Sequence, residues 1–148
     1  MARRLPELAL SVQYACPADG LPTRPQVRQW IRAACAVPAV VTVRFVAEDE
    51  GRCLNRDYRG KDYATNVLTF PYEDEPVTGD LIICASVVAE EAARQGITRE
   101  AHHAHLVVHG LLHLQGYDHE TDAEAAAMES LETTILAGLG IADPYRPR

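Results

Sequence analysis

The chain has 148 residues, 47% of them hydrophobic and 24% charged, with a formal net charge of −7 at pH 7. One domain of that length buries roughly 70% of its unfolded surface. The composition excludes a disordered, collagenous or coiled-coil chain, and no apolar run approaches the ~20 residues of a membrane helix. The charge is unevenly placed. Residues 1–70 hold ten Arg/Lys and seven Asp/Glu, a net +3, while residues 71–148 hold four and fourteen, a net −10. An RNA or phosphate partner must therefore be met by the first half.

In chain order, Met1-Ala2-Arg3-Arg4 mimics the basic start of a signal peptide, but Pro6 and Glu7 interrupt it and leave an apolar stretch too short for a leader. The expectation is an unprocessed, cytoplasmic chain. Leu8 to Ala15 alternates Leu10, Val12 and Tyr14 on one face and reads as a strand. Thr23 offers an N-cap, Pro25 sits in the first turn, and Val27, Trp30, Ile31 and Ala34 form a helical stripe. Val40 to Ala47 reads as a second strand, Asp49 to Tyr58 as a short helix and Val67 to Tyr72 as a third strand. Pro71 suits an edge position or a strand end. Leu81 to Ala85 is a short apolar fourth strand, and Ser86 caps a helix that Gly96 ends after Gln95. A further helix runs from about Thr98 to Gln115, stopped by Gly116. Thr121-Asp122-Ala123-Glu124 reads as a capping box for a last helix that turns Met128, Leu131 and Ile135 inward and closes at Gly138 and Gly140. The order β-α-β-α-β-β-α-α-α predicts a single α/β or α+β domain, a four-stranded mixed sheet packed with about five helices.

Cys16, Cys35, Cys53 and Cys84 form no C-x-x-C pair. They read as small buried or half-buried hydrophobes in a reducing compartment, not as a disulfide framework.

The informative histidines lie in His109-Gly110-Leu111-Leu112-His113-Leu114-Gln115-Gly116-Tyr117-Asp118-His119. His109 and His113 are four apart on a predicted helix, so both rings leave one face and can reach one metal ion. Gly116 can turn the chain back in the left-handed conformation, and His119 then arrives as a third ligand. Three nitrogens leave a fourth position open on zinc, the arrangement of a catalytic site. A His105–His109 pair is a rival, but it lacks the glycine and the returning loop, so His105 reads as a helix-face or supporting residue. His102 and His103, near the helix start, read as solvated. Asp118 serves either to orient a histidine or to stabilise the turn, and Tyr117 either meets substrate or packs in the loop.

The spacing is that of H-E-x-x-H-x-x-G-x-x-H metalloproteases, with Gly110 where they carry the general-base glutamate. The metal geometry survives and the peptidase chemistry loses its base. Met128, which invites comparison with a Met-turn, sits on a helical face and reads as core.

A second segment, Leu54 to Pro71, follows Arg52 and gathers Arg56, Arg59 and Lys61. Arg59-Gly60-Lys61-Asp62 leads into a loop that can present a guanidinium fork to a phosphate. On its residues alone a solvated helix end is the competing reading.

Together these segments resemble the bacterial YbeY family of metal-dependent endoribonucleases and ribosomal RNA maturation factors. The histidine segment matches the family's H-G-x-L-H-L-x-G-Y-D-H motif. Leu54 to Pro71 is similar to its L-N-x-x-Y-R-x-K-D-x-x-T-N-V-L-S-F-P block, with Thr69 for the usual serine. Gly79 to Cys84 and Asp143-Pro144-Tyr145 are similar to its G-D-hydrophobic-x-I-C strand and its ending. The resemblance implies a zinc site of His109, His113 and His119, with Arg59 and His109 serving catalysis in a cleft between sheet and helices. It implies single-stranded RNA as substrate, and roles in small-subunit ribosomal RNA 3′-end processing and ribosome quality control. It also implies the small ribosomal subunit, one of its proteins and an Era-type GTPase as partners. A non-catalytic assembly factor with structural zinc and a metallopeptidase remain the alternatives.

Overall fold

The elements follow in the order β1 (Leu8–Ala15), α1 (Arg24–Ala34), β2 (Ala39–Val46), α2 (Glu48–Arg59), β3 (Val67–Asp74), β4 (Val77–Cys84), α3 (Ala85–Gln95), α4 (Arg99–Leu114) and α5 (Asp122–Gly138). The computed structural model describes residues 5–145, so the basic start Met1–Arg4 lies outside the described residues. The architecture is the expected α+β domain with a four-stranded mixed sheet, in the order β1-β2-β4-β3. β1, β2 and β4 run parallel, and β3 returns antiparallel along the outer side of β4. β3 is an edge strand, which is where Pro71 is tolerated, and its register shifts between Pro71 and Glu73. No described helix is long and apolar enough to cross a membrane.

Alternation along β4 divides the interior in two. Leu81 and Ile83 enter a large core completed by Ile31 of α1, Leu111 of α4 and Leu136 of α5. Ile82 and Cys84 enter a smaller one beneath Leu54 of α2 and Val87 of α3. α4 is the central helix, packed against α1, α3, α5, β3 and β4. Two glycines let it sit close. A Cβ on Gly79 would come within 2.4 Å of Leu114, and one on Gly110 within 2.7 Å of Leu81.

Five local expectations are corrected. His102 and His103 are not solvated: they are 4% and 1% exposed, because His102 meets Glu91 of α3 and His103 packs edge-on against Phe45 of β2. β4 begins at Val77, not Leu81, because parallel pairing with β2 holds Gly79 and Asp80 extended although neither has strand character of its own. α3 starts at Ala85, and its N-cap Cys84 makes no side-chain capping bond, so Ser86 is not the cap. Cys53 is exposed on α2, while Cys84 is buried and Cys16 and Cys35 are half-buried; all four are free thiols. At the last helix Thr121 Oγ1 accepts from Glu124 N at 3.1 Å. The full reciprocal box is found instead at α1, between Thr23 and Gln26. Met128 is buried as expected, and Leu131 and Ile135 pack against the core.

Candidate metal centre and cleft

α4 carries His109 and His113 one turn apart. Gln115 caps the helix, and Gly116 takes a φ of 97°, turning the chain so that Tyr117 N donates back to Leu112 O at 3.1 Å. His119 arrives from that return. The three rings converge: their centroids lie 4.6 Å (His109–His113), 5.0 Å (His113–His119) and 5.8 Å (His109–His119) apart. One nitrogen of each falls within 4.8 Å of the others. Asp118 accepts from the backbone N–H of His119 at 2.7 Å, so its carboxylate shapes the turn; it stands 3.9 Å from the His119 ring. Tyr117 holds the site through its backbone, and its side chain is exposed.

The hydrogen bonds around two of these rings fix their protons. His109 donates from Nδ1 to the carboxylate of Glu132, which can only accept. His113 donates from Nδ1 to Tyr117 O at 3.0 Å. Each neutral ring therefore has a bare Nε2, and these two Nε2 atoms face one another at 3.1 Å. Two lone pairs at that distance repel unless a cation lies between them. Two nitrogens sharing one tetrahedral zinc ion at ~2.05 Å would stand about 3.3 Å apart. The donor set and its protonation thus fit an ion such as zinc. Burial, then the neighbouring His109 and His119, hold the His113 imidazole below its ordinary value, which keeps its lone pair available.

Glu132 was not anticipated. It is fully buried on α5 and also accepts from the Tyr145 hydroxyl, while His105 Nε2 stands 3.7 Å away. Burial pushes its carboxyl up, but the nearby His105 ring and hydrogen bonds from His109 and Tyr145 outweigh this and hold it at about 2. The signal was present in the sequence: Glu132 lies four residues from both Met128 and Leu136, inside the inward stripe of α5. His105, His109 and Glu132 also gather three ligand atoms within 4.8 Å, but this rival set shares His109, whose Nδ1 is already bonded to Glu132.

The three histidine rings open into a cleft of about 670 Å³ that Arg59, Tyr58 and Phe70 also line. Arg59 ends α2, and Gly60 follows with a φ of 71°. Asn55, fully buried, donates to Tyr63 O at 2.7 Å and so pins the loop beyond. The basic segment is less free than its composition suggests. Arg52 is bidentate to Asp62 at 2.8 and 3.0 Å, and Arg56 pairs with Asp57. Among the described residues Arg59 makes no such ion pair, and it is the arginine that faces the cleft. The exposed Tyr58 ring meets Phe70 edge-on at 5.3 Å beside it. A second cavity, of about 370 Å³, lies on the other side of His109, over Glu91, His102 and Tyr145.

Fold and site together define an α+β protein whose central helix, with one returning loop, presents three imidazoles to an open cleft. Residues 23–140 match the family model described as Endoribonuclease YbeY. Over 142 residues the chain is 59% identical to an Endoribonuclease YbeY of Methylobacillus flagellatus, covering 95% of each protein. It is 62% identical over 143 residues to one of Methylibium petroleiphilum, again covering 95% of each. The solution structure of TM1509 from Thermotoga maritima superposes with a TM-score of 0.58 at 26% identity, over 93% of this chain and 99% of that one. The chain belongs to the YbeY endoribonuclease family.

Proposed function

We propose that this chain is a metal-dependent endoribonuclease that cleaves single-stranded RNA, with zinc held by His109, His113 and His119. The observation that carries the reading is the pair of bare Nε2 atoms on His109 and His113, 3.1 Å apart with both Nδ1 protons committed elsewhere. What zinc supplies when bound is an acidified water and a polarised phosphoryl oxygen. His109 serves catalysis by holding that ion at the mouth of the cleft. Arg59, lining the same cleft, neutralises charge that builds on the phosphate as its bond breaks. Tyr58 and Phe70 give the bases an aromatic surface, and this pairing of one cation with stacking rings suits a single strand. Relatives of this chain bear the name endoribonuclease over nearly the whole length.

The same reading places the chain in the cytoplasm, in maturation of the 3′ end of small-subunit ribosomal RNA and in ribosome quality control. Its partners there are the small subunit, one of that subunit's proteins and an Era-type GTPase. The −10 second half suits a basic ribosomal protein better than RNA. A purely structural zinc is disfavoured by the open cleft beside the ligands. A peptidase is disfavoured because the position of the missing base, Gly110, faces Leu81 in the core.

The test is cleavage of a short single-stranded RNA by pure protein, before and after chelation and with zinc restored. His113→Ala protein prepared identically controls for contaminating ribonuclease. Loss on chelation, recovery with zinc and no cleavage by His113→Ala are expected. Equal cleavage by wild type and His113→Ala would remove the assignment.

A further inference from the structure

We propose that Glu132 is a positioning residue of the metal centre, and that Tyr145 from the C-terminal tail holds it in place. The inference rests on the metal reading above. A fully buried carboxylate is an expensive occupant of a helix stripe otherwise made of Met128, Leu131, Ile135 and Leu136. A leucine would pack there as well. What a leucine lacks is the ability to set the direction and tautomer of an imidazole.

The proton directions around Glu132 are mutually consistent. His109 donates from Nδ1 to Oε1, and Tyr145 donates its hydroxyl proton to Oε2. The Tyr145 oxygen is then left to accept from His105 Nε2 at 3.2 Å. One carboxylate thus ties together α4, α5 and the tail. It leaves His109 with its proton on Nδ1 and its lone pair on Nε2, aimed toward His113. A carboxylate behind a ligating histidine acts in this way on ring orientation and basicity. The tail is held where Tyr145 can take part: Asp143 accepts from Tyr145 N at 2.8 Å and stands 3.3 Å from Thr133 Oγ1, on the residue after Glu132. Burial, with the bond to Glu132, pushes the Tyr145 hydroxyl well above its ordinary value, so it remains a donor.

The test has one readout that needs metal and one that does not. Zinc affinity, measured by chelator competition, is compared for wild type, Glu132→Gln, Tyr145→Phe and the double variant. Removing such a carboxylate weakens metal binding by roughly 10–100-fold, so Glu132→Gln should lose that much. Tyr145→Phe should lose less, and the double variant no more than Glu132→Gln alone, because Tyr145 acts through Glu132. In parallel, nitrogen NMR of the metal-free protein should find His109 protonated on Nδ1 in wild type and divided between tautomers in Glu132→Gln. A merely structural Glu132 would lower thermal stability without moving either readout, and that result overturns the proposal. If Glu132→Gln does not fold, Tyr145→Phe decides: unchanged zinc affinity and an unchanged His109 tautomer overturn the relay. A wild type that takes up no zinc would instead defeat the metal reading, and the tautomer of His109 would still judge Glu132.

Discussion

Gly110 lies so close to Leu81 that a Cβ built on it would come within 2.7 Å of the leucine Cδ2. This contact accounts for the residue that separates the histidine motif from its metalloprotease counterpart. The position after the first histidine points into the core, onto β4, and has no room for a carboxylate facing the site. Gly110→Ala trades a helix-propensity gain of about 1 kcal/mol against overpacking of about 1–3 kcal/mol. It should therefore be destabilising by about 1 kcal/mol in urea unfolding. Gly110→Glu, which restores the protease motif, should be far less stable and should gain no casein hydrolysis. A stable, proteolytic Gly110→Glu protein would show that this packing account is wrong.

His103 makes stability depend on pH. It is 1% exposed, meets Phe45 edge-on at 5.5 Å, and its Nδ1 has no partner. Burial, with smaller repulsions from His102 and Arg99, lowers its imidazole from 6.5 to about 4. Because the folded value lies below the unfolded one, the unfolded chain binds the extra proton between those limits. The contribution is complete above about pH 6.5 and is lost as pH falls to about 4. That gap is worth about 3 kcal/mol. His103→Leu should flatten the curve of unfolding free energy against pH in this window relative to wild type, with chelator present in both. Parallel curves would mean that His103 is already protonated when folded.

The two candidate metal sets make different demands. If His109, His113 and His119 hold the ion, His113→Ala should lose most bound metal and His119→Ala should weaken it. His105→Ala should keep one equivalent, because His105 belongs only to the set with Glu132. Metal analysis after dialysis reads all three. Loss of metal from His105→Ala with retention in His119→Ala would move the site to the other face of His109.

The residues legible in the sequence are those whose spacing is itself a geometry. His109 and His113 share a face by helical periodicity, Gly116 permits the turn, and His119 follows at the length the turn requires. Charge marked only the basic segment, and the family resemblance singled out Arg59 within it; sequence could not show that Arg52 and Arg56 are engaged by Asp62 and Asp57. The partners of Glu132 and Tyr145 were illegible for a different reason, although the helical stripe with Met128 and Leu136 does place Glu132 on the inward face. A glutamate among acidic neighbours on a helix ordinarily reads as solvated, and only packing of α5 against α4 makes this one a partner of His109. Tyr145 lies beyond two glycines, and the path of the tail decides what it touches. His102 and His103 show the same limit from the other side: periodicity can rank the faces of a helix, but not say that α4 is covered on nearly all of them. The start of β4 at Val77 came from pairing with β2, a tertiary effect that overrides the weak strand character of Gly79 and Asp80.

Arg59 carries the sharpest prediction for activity. It lines the same cleft as the three histidines, with Tyr58 and Phe70, and among the described residues no carboxylate claims its guanidinium. If it clamps the scissile phosphate, its value lies in the transition state, where charge on the phosphoryl oxygens is greatest. Arg59→Ala should then lower single-turnover cleavage of a short single-stranded RNA by roughly a hundredfold or more, the scale of losing one electrostatic stabiliser. Arg59→Lys should recover only part of this, since an ammonium cannot make the two parallel hydrogen bonds of a guanidinium. Zinc content and thermal stability should match wild type in both, because Arg59 is neither a ligand nor part of the core. RNA binding should also become less sensitive to salt in Arg59→Ala, by somewhat less than one unit of log–log slope, as expected for one lost phosphate contact on a single strand. The competing account, a solvated helix end with no role, predicts wild-type cleavage and an unchanged salt slope in both variants. That outcome would detach Arg59 from the site and leave the histidine centre as the sole support for catalysis.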